Sequence, residues 1–267
     1  LLGKTMIRFK FKIIALSFSF LLTSIVPSLG AGSGGELLKV DWSFKGLTGK
    51  FDRASLQRGF QVYKEVCSSC HSMQYLSYRN LGETGGPEFS EQEVKAIAAS
   101  IEVEDGPDSQ GEMFTRPGRP ADKFKSPYPN VNASIAANGG AYPPDMSVLV
   151  KARPGGSNYI YSVLMGYEDP PQGVTLDDGV YYNKYMIGNK IKMSSPLSDD
   201  IVEYSDGTQA TVEQMSKDVT TFLTWAAEPE LEERHRTGVK VIIYLILLTT
   251  LVYLSMKKIW SRVDTEV

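Results

Sequence analysis

Five consecutive residues, Cys67-Ser68-Ser69-Cys70-His71, set two thiols three positions apart with an imidazole beside the second. That spacing is the attachment signature for a c-type haem. Each thiol adds to one vinyl group of the porphyrin, and two intervening residues let the backbone reach both. The histidine then falls beneath the iron as an axial ligand. Two other chemistries share part of the pattern. A thioredoxin-like redox pair wants a strand before the motif and a helix opening at the first thiol, whereas the residues ahead of Cys67 read as a helix that ends on it. A four-ligand zinc site would have to draw on His235, because the chain has only two cysteines and two histidines.

Electron-transfer haem takes a second strong axial ligand, methionine or histidine. His235 lies in Glu232-Glu233-Arg234-His235-Arg236, beside a long apolar run, and reads as part of a solvated charged stretch. Nine methionines compete. Met6 and Met256 fall in the apolar ends of the chain, and Met73 is too close to His71 to reach the opposite haem face. Met146, Met165 and Met215 occupy apolar positions of expected helices, where core packing is the default. Met113, Met186 and Met193 remain, all in loops. The position of Met193 before the last soluble helix puts it first and Met186 next. A thioether is a soft donor that favours ferrous iron and raises the potential. Two such ligands leave no open site for oxygen or peroxide.

The elements that must position these groups are legible from periodicity. Residues 51–66 read as a helix with Asp52 as N-cap and Leu56, Gly59, Phe60, Tyr63 and Val66 on one face. Gly59 in mid-helix costs about 1 kcal/mol against alanine, which predicts the close approach of another helix. Residues 90–101 form a second helix with a Ser90/Glu93 capping box, and 102–142 a long surface loop. Pro143-Pro144-Asp145 reads as the start of a helix ending near Pro154. Another helix spans 158–165. Residues 166–210 are mostly loop, in which Tyr181 and Tyr182 pack against haem or core. Residues 211–227 form the strongest soluble helix, with a Thr211/Gln214 capping box.

The ends carry targeting. Lys4, Arg8, Lys10 and Lys12 precede an apolar stretch at 13–25 and small residues at 28–30, the pattern of a signal peptide over 1–30. Residues 237–259 are long and apolar enough to span a bilayer, leaving 31–236 as an exported domain and 260–267 as a cytoplasmic tail. Loss of the four cations in 1–30 takes the formal charge from −3 to −7. That sign suits a basic partner and argues against nucleic acid.

Several segments together resemble the cytochrome c1 family, the haem-bearing subunit of the cytochrome bc1 complex (ubiquinol:cytochrome c oxidoreductase), in its bacterial form. They are Arg58-Gly59-Phe60-Gln61-Val62-Tyr63, Glu65 through the motif to Met73, Asn138-Gly139-Gly140-Ala141-Tyr142-Pro143-Pro144-Asp145-Met146-Ser147, Lys151-Ala152-Arg153-Pro154-Gly155-Gly156 with Tyr159, Gly179-Val180-Tyr181-Tyr182-Asn183, and Trp225-Ala226-Ala227-Glu228-Pro229-Glu230. The resemblance implies a mainly α, class I cytochrome c-like domain with long loops and one C-terminal transmembrane helix. It implies one haem c, covalent through Cys67 and Cys70, with His71 and Met193 on the iron and Arg153 near a haem propionate. Asn138, Pro143, Pro144 and Tyr159 would line the pocket. Ser194-Ser195 before Pro196 departs from the proline-rich run of many relatives.

The resemblance further implies cytochrome b, a Rieske iron–sulfur protein and a soluble or anchored c-type cytochrome as partners, in a dimeric complex of the bacterial inner membrane with the haem domain periplasmic. The chain would carry electrons without making or breaking substrate bonds. The residues alone also admit an anchored donor to a terminal oxidase, or a haem sensor or peroxidase.

Overall fold

The structure, a computed structural model, describes residues 35–263. The expected signal segment 1–30 and the end of the expected tail lie outside the described residues. The described chain is mainly helical: α1 (Arg53–Glu65), α2 (Glu91–Ala99), α3 (Val131–Ala137), α4 (Ser157–Met165), α5 (Val212–Ala227) and α6 (Leu231–Val263). Two small antiparallel pairings accompany them, β1 (Glu102–Asp105) with β2 (Phe114–Pro117) and β3 (Tyr181–Tyr182) with β4 (Lys190–Ile191).

The core is built where α1 crosses α5. Asp52 caps α1 by accepting from the Ala54 amide. Leu56, Phe60, Val62 and Tyr63 are buried along its inner side. The glycine expected to admit a second helix does so: a Cβ on Gly59 would lie 2.1 Å from the Asp218 carbonyl oxygen and 2.7 Å from Phe222 Cβ. Around the crossing, Phe222 sits between Phe60 and Tyr63 at ring-centroid distances of 5.7 and 5.8 Å. Tyr63 meets Phe124, which stacks on Tyr78 at 4.7 Å. Such aromatic pairs add on the order of 1 kcal/mol each beyond the area they bury.

A charge is buried at the same crossing. Asp218 is fully buried on α5, and Arg58 of α1 grips it through Nε at 2.8 Å and Nη2 at 3.1 Å. Ser55 Oγ and Gln214 Nε2 also donate to it. Here the expected capping box is only half made. Thr211 accepts from the Gln214 amide, but the Gln214 side chain turns to Asp218 instead of back to Thr211. A buried carboxylate is a stronger acceptor in need of donors than a solvated helix end.

Three other expectations change. Residues 102–142 contain the β1–β2 hairpin and α3. Arg116 pairs with both Asp105 and Asp122 and closes the hairpin onto its exit strand. No helix follows Pro143-Pro144-Asp145, because residues 146–156 run as successive turns. The Asp145 carboxylate does accept from the Ser147 amide, as an N-cap would, but Ser72 Oγ and the Gln74 amide claim it as well. Tyr181 is 42% exposed and so is no core residue, and Tyr182 is half-buried.

Helix α6 begins at Leu231, earlier than the apolar run at 237. Its first turn belongs to the globular part. Leu231 is buried, and Arg53 makes a two-pronged bond to Glu232 at 2.8 and 2.9 Å. His235 Nδ1 lies 3.1 Å from the Gly49 carbonyl oxygen. Beyond that turn the side chains are exposed, and the helix is long and apolar enough to cross a membrane.

Candidate haem-binding site

The motif begins as α1 runs out. Cys67–Ser69 form a 3₁₀ turn, and the Cys67 carbonyl accepts from both the Cys70 amide (3.2 Å) and the His71 amide (2.9 Å). One carbonyl therefore sets the second thiol and the imidazole relative to the first thiol. The two spacer serines finish the helix. Ser68 Oγ donates to the Lys64 carbonyl and Ser69 Oγ to that of Val66, satisfying oxygens that the last turn leaves open. Periodicity gave no hint of this use.

Both thiols are free, with no disulfide between them. Burial pushes the Cys67 thiol up to about 12, so it stays protonated. A dithiol oxidoreductase needs the opposite, a nucleophilic thiol driven below its ordinary value. The motif also follows the end of α1 and does not open a helix after a strand, as a thioredoxin-like pair would.

His71 is buried, with 9% of its surface exposed, and its Nδ1 donates to the Pro144 carbonyl at 2.8 Å. With the proton on Nδ1, the lone pair is on Nε2. Burial holds the imidazole below its usual range, against the opposing pull of the Pro144 carbonyl and the Asp145 carboxylate. A neutral ring with one nitrogen committed to a carbonyl is the form in which histidine binds metal. Pro144 is brought to His71 by a zip of main-chain bonds. The Met146 amide donates to the Ser72 carbonyl (2.8 Å), and the Tyr75 amide to Ser147 Oγ (3.1 Å). Asp145 is the centre of that zip, and its hydrogen bonds outweigh burial to hold its carboxyl below the ordinary value.

Pro143 and Cys70 line one shallow groove together with Tyr128 and Tyr142. Asn138 turns its amide inward to the Ser134 carbonyl (2.7 Å) and closes α3. Arg153 is half-buried, donates to the Ala152 carbonyl, and has no carboxylate partner among the described residues. Tyr159 lies on α4 and donates to Met186 Sδ at 3.1 Å. That bond occupies the runner-up thioether. Met193 is half-buried, its Sδ accepts no hydrogen bond among the described residues, and its carbonyl accepts from Tyr167 OH at 3.1 Å. Lys192 Nζ reaches the Gly139 carbonyl (3.2 Å) and so ties the Met193 segment to the segment that carries Pro143 and Pro144.

Two unpaired thiols, a neutral imidazole with a free Nε2 lone pair and an uncommitted thioether make a donor set that fits a c-type haem. The groups that sequence reasoning missed are Ser68, Ser69, Ser72, Asp145 and Tyr167. Ser68 and Ser69 act locally on the carbonyls of the last turn of α1, whereas Ser72, Asp145 and Tyr167 act across long stretches of chain, which no local pattern encodes.

Comparison with known proteins agrees with this chemistry. Residues 42–263 match the family model described as the Cytochrome C1 family. A Rhodospirillum rubrum protein named Cytochrome c1 is 46% identical over 266 residues, covering 93% of this chain and 97% of that protein. A Solanum tuberosum protein named Cytochrome c1-2, heme protein, mitochondrial is 53% identical over 217 residues, 81% of this chain and 82% of that protein. A Bradyrhizobium diazoefficiens protein named Cytochrome b/c1 is 51% identical over 239 residues, and there the chain spans 82% of its own length but 35% of the relative's.

Proposed function

The chain belongs to the cytochrome c1 family, and from that membership we propose that it is the haem-bearing electron-transfer subunit of a cytochrome bc1 complex. The observation that carries the proposal is the Nδ1 bond from His71 to Pro144, with one unpaired thiol next to the histidine at Cys70 and the other four residues before it at Cys67. It leaves a single neutral nitrogen donor beside two sites of covalent attachment. When bound, haem c supplies a one-electron couple.

Cys67 and Cys70 would hold that one haem covalently, and His71 Nε2 and Met193 Sδ would be the donors to its iron. Arg153 neutralises a propionate, which accounts for a half-buried guanidinium with no carboxylate beside it. Asn138, Pro143, Pro144 and Tyr159 shape the pocket walls. With two protein donors to its iron, the site would pass electrons and leave no place for oxygen.

The chain takes one electron from a Rieske iron–sulfur protein and gives it to a soluble or anchored c-type cytochrome. The quinol chemistry of the ubiquinol:cytochrome c oxidoreductase takes place on other subunits. Cytochrome b is the partner in the membrane, a pairing supported by the relative named Cytochrome b/c1, and the whole complex is dimeric. Helix α6 is the single membrane anchor: beyond its first turns it is apolar on all sides and exposed, and such a stretch needs lipid as its solvent. Residues 1–30 act as the signal peptide, 31–236 as the haem domain on the periplasmic side of a bacterial inner membrane, 237–259 as the span and 260–267 as the tail.

Purification from membranes in mild detergent tests this directly. The expected result is a haem-staining band for this chain that survives denaturing electrophoresis, together with a b-type signal in the reduced-minus-oxidised spectrum and an iron–sulfur protein. A covalent haem without the b-type signal would refute assembly into a bc1 complex. Absence of haem stain would refute the site.

A further inference from the structure

We propose that Tyr167 is a positioning residue for the Met193 thioether and acts through the backbone carbonyl of Met193 itself. The proposal rests on the assignment of Met193 as axial donor. Met193 lies between β4 and α5, in a stretch with neither helix nor strand, and no hydrogen bond reaches its sulfur among the described residues. Main chain must therefore place it. The Tyr167 hydroxyl, donating to the Met193 carbonyl at 3.1 Å, is the contact that does so.

Tyr167 is itself rigidly held. It follows Gly166, where α4 ends, and pairs with Asn183 in an isolated antiparallel bridge. The Lys184 amide donates to the Gly166 carbonyl at 2.9 Å. Asn183 is fully buried. Its side-chain nitrogen donates to the Val163 carbonyl at 2.8 Å, and its side-chain oxygen accepts from the Tyr185 amide at 3.1 Å. The Asn183 amide donates to the Asn189 carbonyl (3.1 Å), immediately before β4. The frame has no slack, since a Cβ on Gly166 would come within 2.6 Å of the Tyr185 ring and 2.8 Å of Asn183 Oδ1.

The end of α4 is thus linked by hydrogen bonds, through Asn183, to Asn189 just before β4 and, through Tyr167, to Met193 itself. Phenylalanine would fill the same half-buried space at 167. What tyrosine adds is a donor, and its acceptor is the carbonyl of the ligand residue.

The test compares three variants in the intact membrane complex. Met193→Leu tests the ligand assignment. It abolishes the methionine–iron charge-transfer band of the oxidised protein and lets the reduced protein bind carbon monoxide. Tyr167→Phe weakens the same band, lowers the potential and tightens binding of added imidazole to the oxidised protein by about fivefold, the equilibrium worth of one neutral hydrogen bond. Incorporation of 4-aminophenylalanine at 167, which restores a donor on the same ring, returns imidazole affinity toward the parent value. This rescue also stands as the measurement if Tyr167→Phe fails to assemble, since a variant with a restored donor that still binds imidazole more tightly overturns the proposal. Band, potential and imidazole affinity unchanged in Tyr167→Phe, with the band lost in Met193→Leu, overturn the positioning role and leave the ligand in place. A band retained in Met193→Leu overturns the ligand assignment and the proposal with it.

Discussion

The proton on His71 Nδ1 is held by a backbone carbonyl, that of Pro144, so no side-chain exchange at 144 removes the acceptor directly. The reachable handle is Asp145, whose carboxylate takes three donors from Ser72, Gln74 and Ser147. Asp145→Asn keeps the shape but gives up an ionised acceptor, and it sets an amide NH₂ where one of the two accepting oxygens was. We expect a loss of about 1–3 kcal/mol in unfolding free energy, measured by denaturant titration of the haem-loaded domain. Loosening of the Pro144 segment should also broaden the distribution of His71 orientations, which electron paramagnetic resonance of the ferric form reads as a spread of g-values. Stability equal to the parent would show that Asp145 does not hold the zip.

At the scale of elements, the crossing of α1 and α5 depends on one missing side chain. Gly59→Ala improves helix propensity by up to about 1 kcal/mol but drives a methyl into the Asp218 carbonyl. Overpacking of that severity costs about 3 kcal/mol, so a net fall in thermal stability is expected, read by calorimetry. A neutral or stabilising outcome would mean that the helices separate without cost.

The β1–β2 hairpin carries a different prediction. The hydrogen bonds from the Arg116 side chain and the Arg119 amide hold Asp122 at about 2, against an ordinary value of 3.8. Asp105 is also lowered, chiefly by Arg116. Carboxyls depressed in the folded state stabilise it fully above their unfolded value and lose that contribution as pH falls through the folded one. The hairpin should therefore keep its amide protection down to about pH 4 and lose it toward pH 2, as followed by hydrogen exchange. Arg116→Ala should move that loss to higher pH.

For the whole molecule, two properties matter: where the charge lies and how the globular part meets α6. A chain at −3, and at −7 without its first thirty residues, should attract a basic electron acceptor through long-range forces that salt screens within about 8 Å at physiological ionic strength. The bimolecular rate with such an acceptor is expected to fall several-fold between about 10 and 150 mM salt, measured by flash-initiated electron transfer. A rate indifferent to salt would argue that docking is apolar.

The join to α6 is braced by Arg53, which bonds Glu232 through two nitrogens. Arg53→Ala should lower the stability of the haem domain by about 1–3 kcal/mol and expose the 231–236 turn to protease. Resistance equal to the parent would place the brace elsewhere.

Much of this protein is written locally. The haem motif, the caps at Asp52 and Ser90, the stripes of α1 and α5, the need for Gly59 and the apolar length of α6 follow from residue type and spacing, because each rests on contacts a few residues apart or on a single periodic face. The helix expected after Pro143 did not form, although its start signal was sound. Asp145 is drawn to Ser72 and Gln74, more than seventy positions earlier, and a tertiary donor outcompetes a local one when it is already held in place. Tertiary contacts likewise distinguish Met186 from Met193. Both sit in loops of similar composition. Only the folded chain puts Tyr159 on the sulfur of the first and Tyr167 on the carbonyl of the second, since hydrogen bonds between distant segments depend on where α4 ends and not on the residues beside either methionine.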